Sequence, residues 1–536
     1  MMTDGHKTNE ATTTISPSET KSTPRGAVTN AGWNAFSTVW NIGISFILAP
    51  LLIHYLGTAE YGILLLIWSF TGILGIMNFG LGEATLRYVA HYYGDGDYEG
   101  VNRVFGSTLS FYVVICAGVS LIVVTAAPSI VALMKIPDGQ HQLVGWLLRV
   151  SCLIFSLGIV TRAFGSIPMA LHRYDISSKI EIGQSVVRST GYIVLVISKF
   201  GLLHLLMWDV ITSSSTLLVQ FAVIRRLSPQ IRLLPSFSFK GLREIFSYSI
   251  FSFLTYVFHM MHRESGKLAL GSLAGPAPVA YLGTPDNVSQ RVHMVVASSS
   301  ETLLPRFSAN RDPRVAQSLF LSGTWAALAL SIVFFIPLIV LMPDFLSLWI
   351  SPEFSKESAA VGQLVALSYI TQGGFAPPAT FFRGTGKPWV VTIIIALAGI
   401  VTLVSSLILI PSMGVLGVGY AYLLGSIAPL LGVMAGWLYL FGSSAVMALM
   451  RSVGLPLLLG AGAFMIEQGI RNYFIGMNWF ELIALGGLFA ALTGLLVFGV
   501  DWLLGGDSFS RKFFEQIARS EKVARLSTHF GFGRAH

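Results

Sequence analysis

Apolar runs of about twenty residues recur from Val28 to Leu504, separated by short polar stretches. A helix needs ~20 apolar residues to cross a ~30 Å hydrocarbon core, and each run is long enough. Fourteen such spans are legible: 28–53, 61–83, 104–126, 143–165, 181–200, 202–224, 245–267, 278–303, 316–342, 359–380, 388–410, 414–440, 448–470 and 479–504. Glycine and proline inside them suit membrane helices, whereas barrel strands would alternate apolar and polar residues over ~10 positions. The pattern predicts an all-α polytopic membrane protein with about 14 transmembrane helices.

Two echoes divide the spans further. Lys199-Phe-Gly-Leu-Leu-His-Leu after the fifth span resembles Ser412-Met-Gly-Val-Leu-Gly-Val after the eleventh, placing Gly201 opposite Gly414. Leu56-Gly57 with Tyr61 has a looser counterpart in Leu273-Ala-Gly275 with Tyr281. Internal repeats are a transporter habit, with the substrate between the halves. The expected organisation is an N-lobe of six helices (28–224), a cytoplasmic linker (225–244), a C-lobe of six helices (245–441) and two further helices (448–504). Residues 1–27, rich in Thr, Ser, Lys and Glu, predict a disordered cytoplasmic N-tail rather than a signal peptide. In the basic C-tail, 505–536, apolar residues such as Phe513, Phe514 and Ile517 mix with basic ones. That mixture reads either as an amphipathic helix on an anionic leaflet or as a solvated tail.

Composition agrees with the span pattern. Only 11% of residues are charged, against ~25% in a soluble domain. With 53% hydrophobic residues and a mean hydropathy of +0.69, the surface is expected to face lipid. The net charge of +8 is mainly an orientation signal, because 25 of the 34 basic side chains fall on one side of the spans. Four, Lys135, Lys199, Lys356 and Arg471, fall on the other. Lys and Arg favour the cytoplasm, so both termini are expected there, and no nucleic-acid partner is expected. Cys116 and Cys152 lie within apolar runs and offer neither a disulfide framework nor a zinc site.

Five bases remain inside the spans: Arg149, Arg188, Arg263, Lys267 and Arg291. The acids at similar depth are Asp209, Glu264 and Asp286, so the buried set has an excess of two positive charges. Ionised groups at this depth cost ~2.5–3.5 kcal/mol each on insertion scales and therefore face a bundle interior or a wet cavity. His259, Arg263 and Lys267 share one helical face, as do Asp286, Gln290 and His293. Two other readings stand beside a cavity. Residues 263–276 form an external loop, or Glu264–Lys267 and Arg263–Asp286 are structural ion pairs. Gly384-Thr-Gly-Lys387 is half a phosphate loop followed by Pro388, and reads as a turn. Asn287-Val-Ser289 fits a glycosylation site but falls within a span. Metal-ligand spacings, a nucleophile elbow and a long external loop are all missing, so enzyme activity is not expected.

One set of segments runs from Trp33-Asn34 through Ala49-Pro50 to Leu56-Gly57-Thr-Ala-Glu-Tyr61-Gly62, then Gly80-Leu81-Gly82 with Arg87-Tyr88. It continues in Arg263-Glu264 with Leu270-Gly271 and Tyr281, Leu304-Pro305-Arg306-Phe307-Ser308, Leu348-Trp349-Ile350, and Pro411 through Gly419. In this order the segments resemble the polysaccharide transporters, or O-antigen-type flippases, of the superfamily that also holds multidrug and toxin extruders. The resemblance implies two six-helix lobes around a V-shaped central cavity that opens alternately to each side, with two added helices.

The implied task is to move an undecaprenyl-diphosphate-linked oligosaccharide from the cytoplasmic to the outer leaflet of a bacterial inner membrane. The implied partners are that lipid-linked glycan, membrane lipids and other polysaccharide assembly proteins. No cofactor is expected beyond a coupling proton or sodium ion. Arg149, Arg263, Lys267, Arg291 and Arg188 are the candidates for the diphosphate and sugar cavity, since Arg matches phosphate geometry. Asp286, Glu264, Asp209 and His293 are the candidates for ion coupling. The chain lacks the arginine-rich first two helices expected of lipid II flippases. A small-molecule exporter on the same scaffold is the alternative, and would call for an acidic, aromatic cavity.

Overall fold

The computed structural model describes residues 24–309, 312–442, 446–474, 476–504 and 509. The N-tail before residue 24 and the C-tail from residue 510, with its amphipathic pattern, lie outside the described residues.

The described residues form helices and connecting turns, without strands. The N-lobe holds α1 (Pro24–Leu74), α2 (Leu81–Gly94), α3 (Tyr98–Leu133), α4 (His141–Ala170), α5 (Tyr174–Ile197) and α6 (Leu202–Leu227). The C-lobe holds α7 (Phe239–Leu273), α8 (Pro276–Glu301), α9 (Leu304–Ala309), α10 (Pro313–Trp349), α11 (Pro352–Gly384), α12 (Pro388–Met413), α13 (Val415–Gly425) and α14 (Ile427–Phe441). Two more crossings follow. α15 (Val446–Leu449) continues through π-helical turns into α16 (Leu455–Arg471), and α17 (Trp479–Gly494) continues likewise into α18 (Val500–Leu503).

Ten segments are long and apolar enough to cross a membrane, and the α1 segment holds two crossings because its helix breaks at Gly57. α7, α8 and α11, with 35, 26 and 33 residues, are also long enough but more polar, and with them fourteen segments of crossing length are counted among the described residues. The expected span 61–83 is corrected. Its helix ends at Leu74, and Phe79 and Gly80 take positive φ values of 51° and 69° before α2 starts. The Asn78 side chain at this break accepts a hydrogen bond from the Tyr112 hydroxyl. The span 414–440 is likewise interrupted, at Ser426.

The echo around Gly57 and Gly275 is matched in backbone conformation. Gly57 has φ 82° and ψ 163°, and Gly275 has φ 91° and ψ −179°. Both link an odd crossing to the next through a conformation that favours glycine. Gly201 and Gly414 both cap a helix N-terminus, but their φ values, −78° and 58°, differ. Gly386, with φ 75°, forms the expected turn between α11 and α12.

The lobes meet along the second half of α1, where Tyr61 through Ile67 are all buried. Glycines permit the approach. A Cβ on Gly62 would collide with the Pro276 carbonyl of α8, and one on Gly283 would lie 2.7 Å from Leu65. The Trp349 indole N–H donates to the Phe46 carbonyl at 2.9 Å, tying α10 to α1.

On the opposite side of the bundle, the segment between α6 and α7 is stitched to α3. Asn102 donates to the Gln230 carbonyl at 3.2 Å and accepts from the Arg232 N–H at 2.6 Å. Ser236 N–H donates to the Gly106 carbonyl at 3.1 Å. Ile231 and Leu233 are buried in the N-lobe core with Val104 and Phe105.

Candidate functional site

Between the lobes lies a cavity of about 590 Å³, lined by α1, α5, α8 and the end of α10. α5 contributes Glu181, Gln184, Ser185, Arg188 and Tyr192, which recur every three or four residues and so share a face. α8 contributes Thr284, Asn287 and Arg291, and α1 contributes Ser45 and Trp68. Arginines from two different lobes, Arg188 and Arg291, therefore face one space.

Arg188 is fixed from behind. Its Nε and Nη2 donate to the two oxygens of Asp209 on α6, at 2.6 and 3.0 Å. The Tyr192 hydroxyl donates to the same carboxylate at 2.7 Å. Asp209 is buried, while the Arg188 side chain is 44% exposed, so the outer edge of the guanidinium stays open to the cavity. Arg291 reaches the Ser45 hydroxyl at 3.2 Å, a hydrogen bond between α8 and α1. Such two-pronged pairing fixes guanidinium orientation as well as charge.

A second polar group is buried behind α8. Lys267 Nζ lies 2.8 Å from Asp286 and 3.5 Å from Glu264, and Arg263 Nε lies 2.9 Å from Glu264. The Tyr369 hydroxyl of α11 donates to Asp286 at 3.0 Å, and the Tyr422 hydroxyl of α13 donates to the Arg263 carbonyl at 2.7 Å. His293 packs against the Tyr369 ring, with centroids 5.2 Å apart. Lys267, Glu264 and Asp286 are each at most 5% exposed, and two bases meet two acids. Buried charges are tolerated when matched in this way.

The predicted residues thus fall into three places. Arg188 and Arg291 line the cavity, and Asp209 supports the first of them. Arg263, Lys267, Glu264, Asp286 and His293 gather around Tyr369 and α7. Arg149 stands apart on α4, outside the cavity lining, with its guanidinium 5.2 Å from the Trp146 ring.

Two expectations are corrected. Residues 263–273 continue α7 and only Ala274 and Gly275 join it to α8, so the external-loop reading fails. The Arg263–Asp286 pair is replaced, because Lys267, one helical turn further along α7, reaches Asp286 first. The excess of two buried bases is also not concentrated in the cavity. Lys267 and Arg263 are neutralised in place, and the lining itself sets Arg188 and Arg291 against Glu181.

Glu181, Gln184, Ser185 and Ser45 line the cavity without being singled out in the sequence, and Asn287 stands there only as part of a glycosylation pattern. The expected span starts at 181, whereas α5 begins at Tyr174, so Glu181 lies two turns inside the helix. The signal was the polar stripe 181, 184, 185 and 188 in an apolar span.

Comparison with solved structures places the fold. A lipid II flippase, MurJ, in an inward closed conformation superposes with a TM-score of 0.68 at 13% identity, over 92% of this chain and 100% of that one. An inward-facing multidrug resistance MATE family transporter gives 0.62 at 15% identity, over 76% of this chain and 100% of that one. A MOP superfamily transporter from Pyrococcus furiosus, described as having a binding pocket of reverse polarity, gives 0.52 at 13% identity, covering 77% and 93%. At these identities the likeness shows the fold. No curated protein sequence matches the chain. The MatE family matches residues 245–409, within the C-lobe. The family described as "Polysaccharide biosynthesis protein" matches residues 27–311, more than half of the 536 residues, and the chain belongs to this family.

Proposed function

We propose that the protein is a flippase that carries an undecaprenyl-diphosphate-linked oligosaccharide from the cytoplasmic to the outer leaflet of a bacterial inner membrane, for surface polysaccharide synthesis. One observation carries this reading: Arg188 and Arg291, from opposite lobes, line a single cavity with the neutral polar groups Gln184, Ser185, Asn287 and Ser45. A diphosphate leaves water only against fixed cations, and guanidinium matches its geometry. Neutral amides and hydroxyls suit a sugar, and the polyprenyl tail stays in the bilayer. Since the two arginines belong to different lobes, the cargo itself bridges them, and rocking of the lobes moves it across by alternating access. An exporter of organic cations would favour carboxylates, whereas this lining has two arginines and one glutamate.

Coupling to a proton or sodium gradient completes the reading. In the conformation described, the Lys267 ammonium sits between Asp286 and Glu264, where a mobile cation would otherwise bind. An ion enters there when α7 and α8 move apart. The termini lie in the cytoplasm on this reading, as the Lys and Arg distribution requires.

The test is translocation by the full chain in proteoliposomes of a fluorescent polyprenyl-diphosphate oligosaccharide. Arg188→Ala and Arg291→Ala each lower the rate at least about tenfold, as expected when one partner of a charged contact is removed. Unchanged translocation in both variants would overturn the assignment.

A further inference from the structure

Glu181 is the one acidic residue in the cavity lining, and its carboxylate has no protein partner among the described residues. The acids of the two polar groups described above are all held: Asp209 by Arg188 and Tyr192, Glu264 by Arg263 and Lys267, Asp286 by Lys267 and Tyr369. Glu181 is exposed to the cavity from within the membrane-crossing helix α5. It stands seven residues before Arg188 on the same face, which is about 10 Å along the helix axis. A free carboxylate beside an arginine pair works against binding of a diphosphate alone. Its place is explained if it meets the next part of the cargo.

We propose that Glu181 selects the glycan: its carboxylate accepts hydrogen bonds from the sugar adjoining the diphosphate and rejects carriers whose first sugar bears a carboxylate. This rests on the diphosphate reading above. A diphosphate at Arg188 and Arg291 leaves the first sugar beside Glu181, Gln184 and Ser185. A hydroxyl or amide N–H can donate to the carboxylate there, whereas a uronate meets a like charge in a cavity of low dielectric.

The experiment uses the full chain in nanodiscs, with binding read from the fluorescence of the lining tryptophans, Trp68 and Trp349. Three probes are compared: polyprenyl diphosphate without sugar, with one N-acetylhexosamine, and with one hexuronic acid. The wild type binds the uronate carrier about tenfold more weakly than the neutral one. Glu181→Gln closes that gap to within about threefold without weakening binding of the sugar-free carrier, and Glu181→Lys reverses the preference. Three results overturn the inference: equal binding of the two glycan probes by the wild type, an unchanged ratio in both variants, or loss of sugar-free binding in Glu181→Gln. Arg291→Ala is measured alongside. If it binds the sugar-free carrier as the wild type does, the diphosphate reading fails while the Glu181 ratio is judged separately. If the wild type does not bind the sugar-free carrier, both fall.

Discussion

Arg188 and Asp209 clasp one another across α5 and α6 through two parallel hydrogen bonds of 2.6 and 3.0 Å. The carboxylate is buried and the guanidinium is half in the cavity, so the pair holds a ligand-facing group on a rigid base. Breaking a fully buried pair costs ~3–5 kcal/mol, and the exposure of Arg188 reduces that. Asp209→Ala is expected to destabilise by ~1–3 kcal/mol, and adding Arg188→Ala to remove less than the sum of the single changes. Thermal unfolding of the single and double variants in detergent checks this, and strict additivity contradicts it.

Lys267 and Asp286 make a second relationship with a different outcome. Lys267→Met leaves two buried carboxylates close together, and Asp286→Asn leaves an ammonium with only Glu264 at 3.5 Å. Each single change is expected to destabilise by ~3–5 kcal/mol. The double variant retains the Arg263–Glu264 pair and is expected to be more stable than either single one. A double variant no better than Lys267→Met would show that the ammonium is not the partner of Asp286.

Gly62 tests the seam between the lobes. Its Cβ position is filled by the Pro276 carbonyl, a backbone atom that has no freedom to move aside alone. Gly62→Val is expected to pry α1 from α8 and shift the population away from this conformation. A cysteine at Thr284, which is buried, should react with a water-soluble maleimide faster in that background than with Gly62 present. Equal rates would mean that the seam does not seal the cavity.

The orientation is open to a simpler measurement. Tyr473→Cys, in the 89% exposed position between α16 and α17, should label from outside intact cells. Arg232→Cys and Lys522→Cys should not. Labelling of either by an impermeant reagent would invert the topology inferred from charge.

The crossings were legible because hydropathy is a local property, written in each run of ~20 residues. The break at Asn78–Gly80 was not, since Ile76, Met77 and Phe79 keep the run apolar while a polar contact from Tyr112, 34 residues away, stabilises the turn. The charged residues were legible one by one, but not their partners. Arg188 and Asp209 are 21 residues apart and meet only because α5 and α6 pack side by side. Likewise, Asp286 meets Lys267 rather than Arg263 because of how α7 and α8 are rotated, and no spacing encodes that rotation. Glu181 was missed for a plainer reason: a helix in a transporter extends past its apolar stretch, and polar positions near its end still face the interior.

The stitched segment between α6 and α7 has a mechanical consequence. Ile231 and Leu233 are embedded in the N-lobe core, and Gly241, at the start of α7, abuts Ser107 and the Arg103 carbonyl. Further along the same helix, Thr255 bonds Thr392 at 2.7 Å and His262 bonds Thr402 at 2.8 Å, both on α12. One end of α7 is thus riveted to one body and the other end to its neighbour, with no slack tether between them. Relative rotation of the two bodies must load this helix as a cantilever, so the stiffness of the stretch between Gly241 and Thr255 governs how readily they rock.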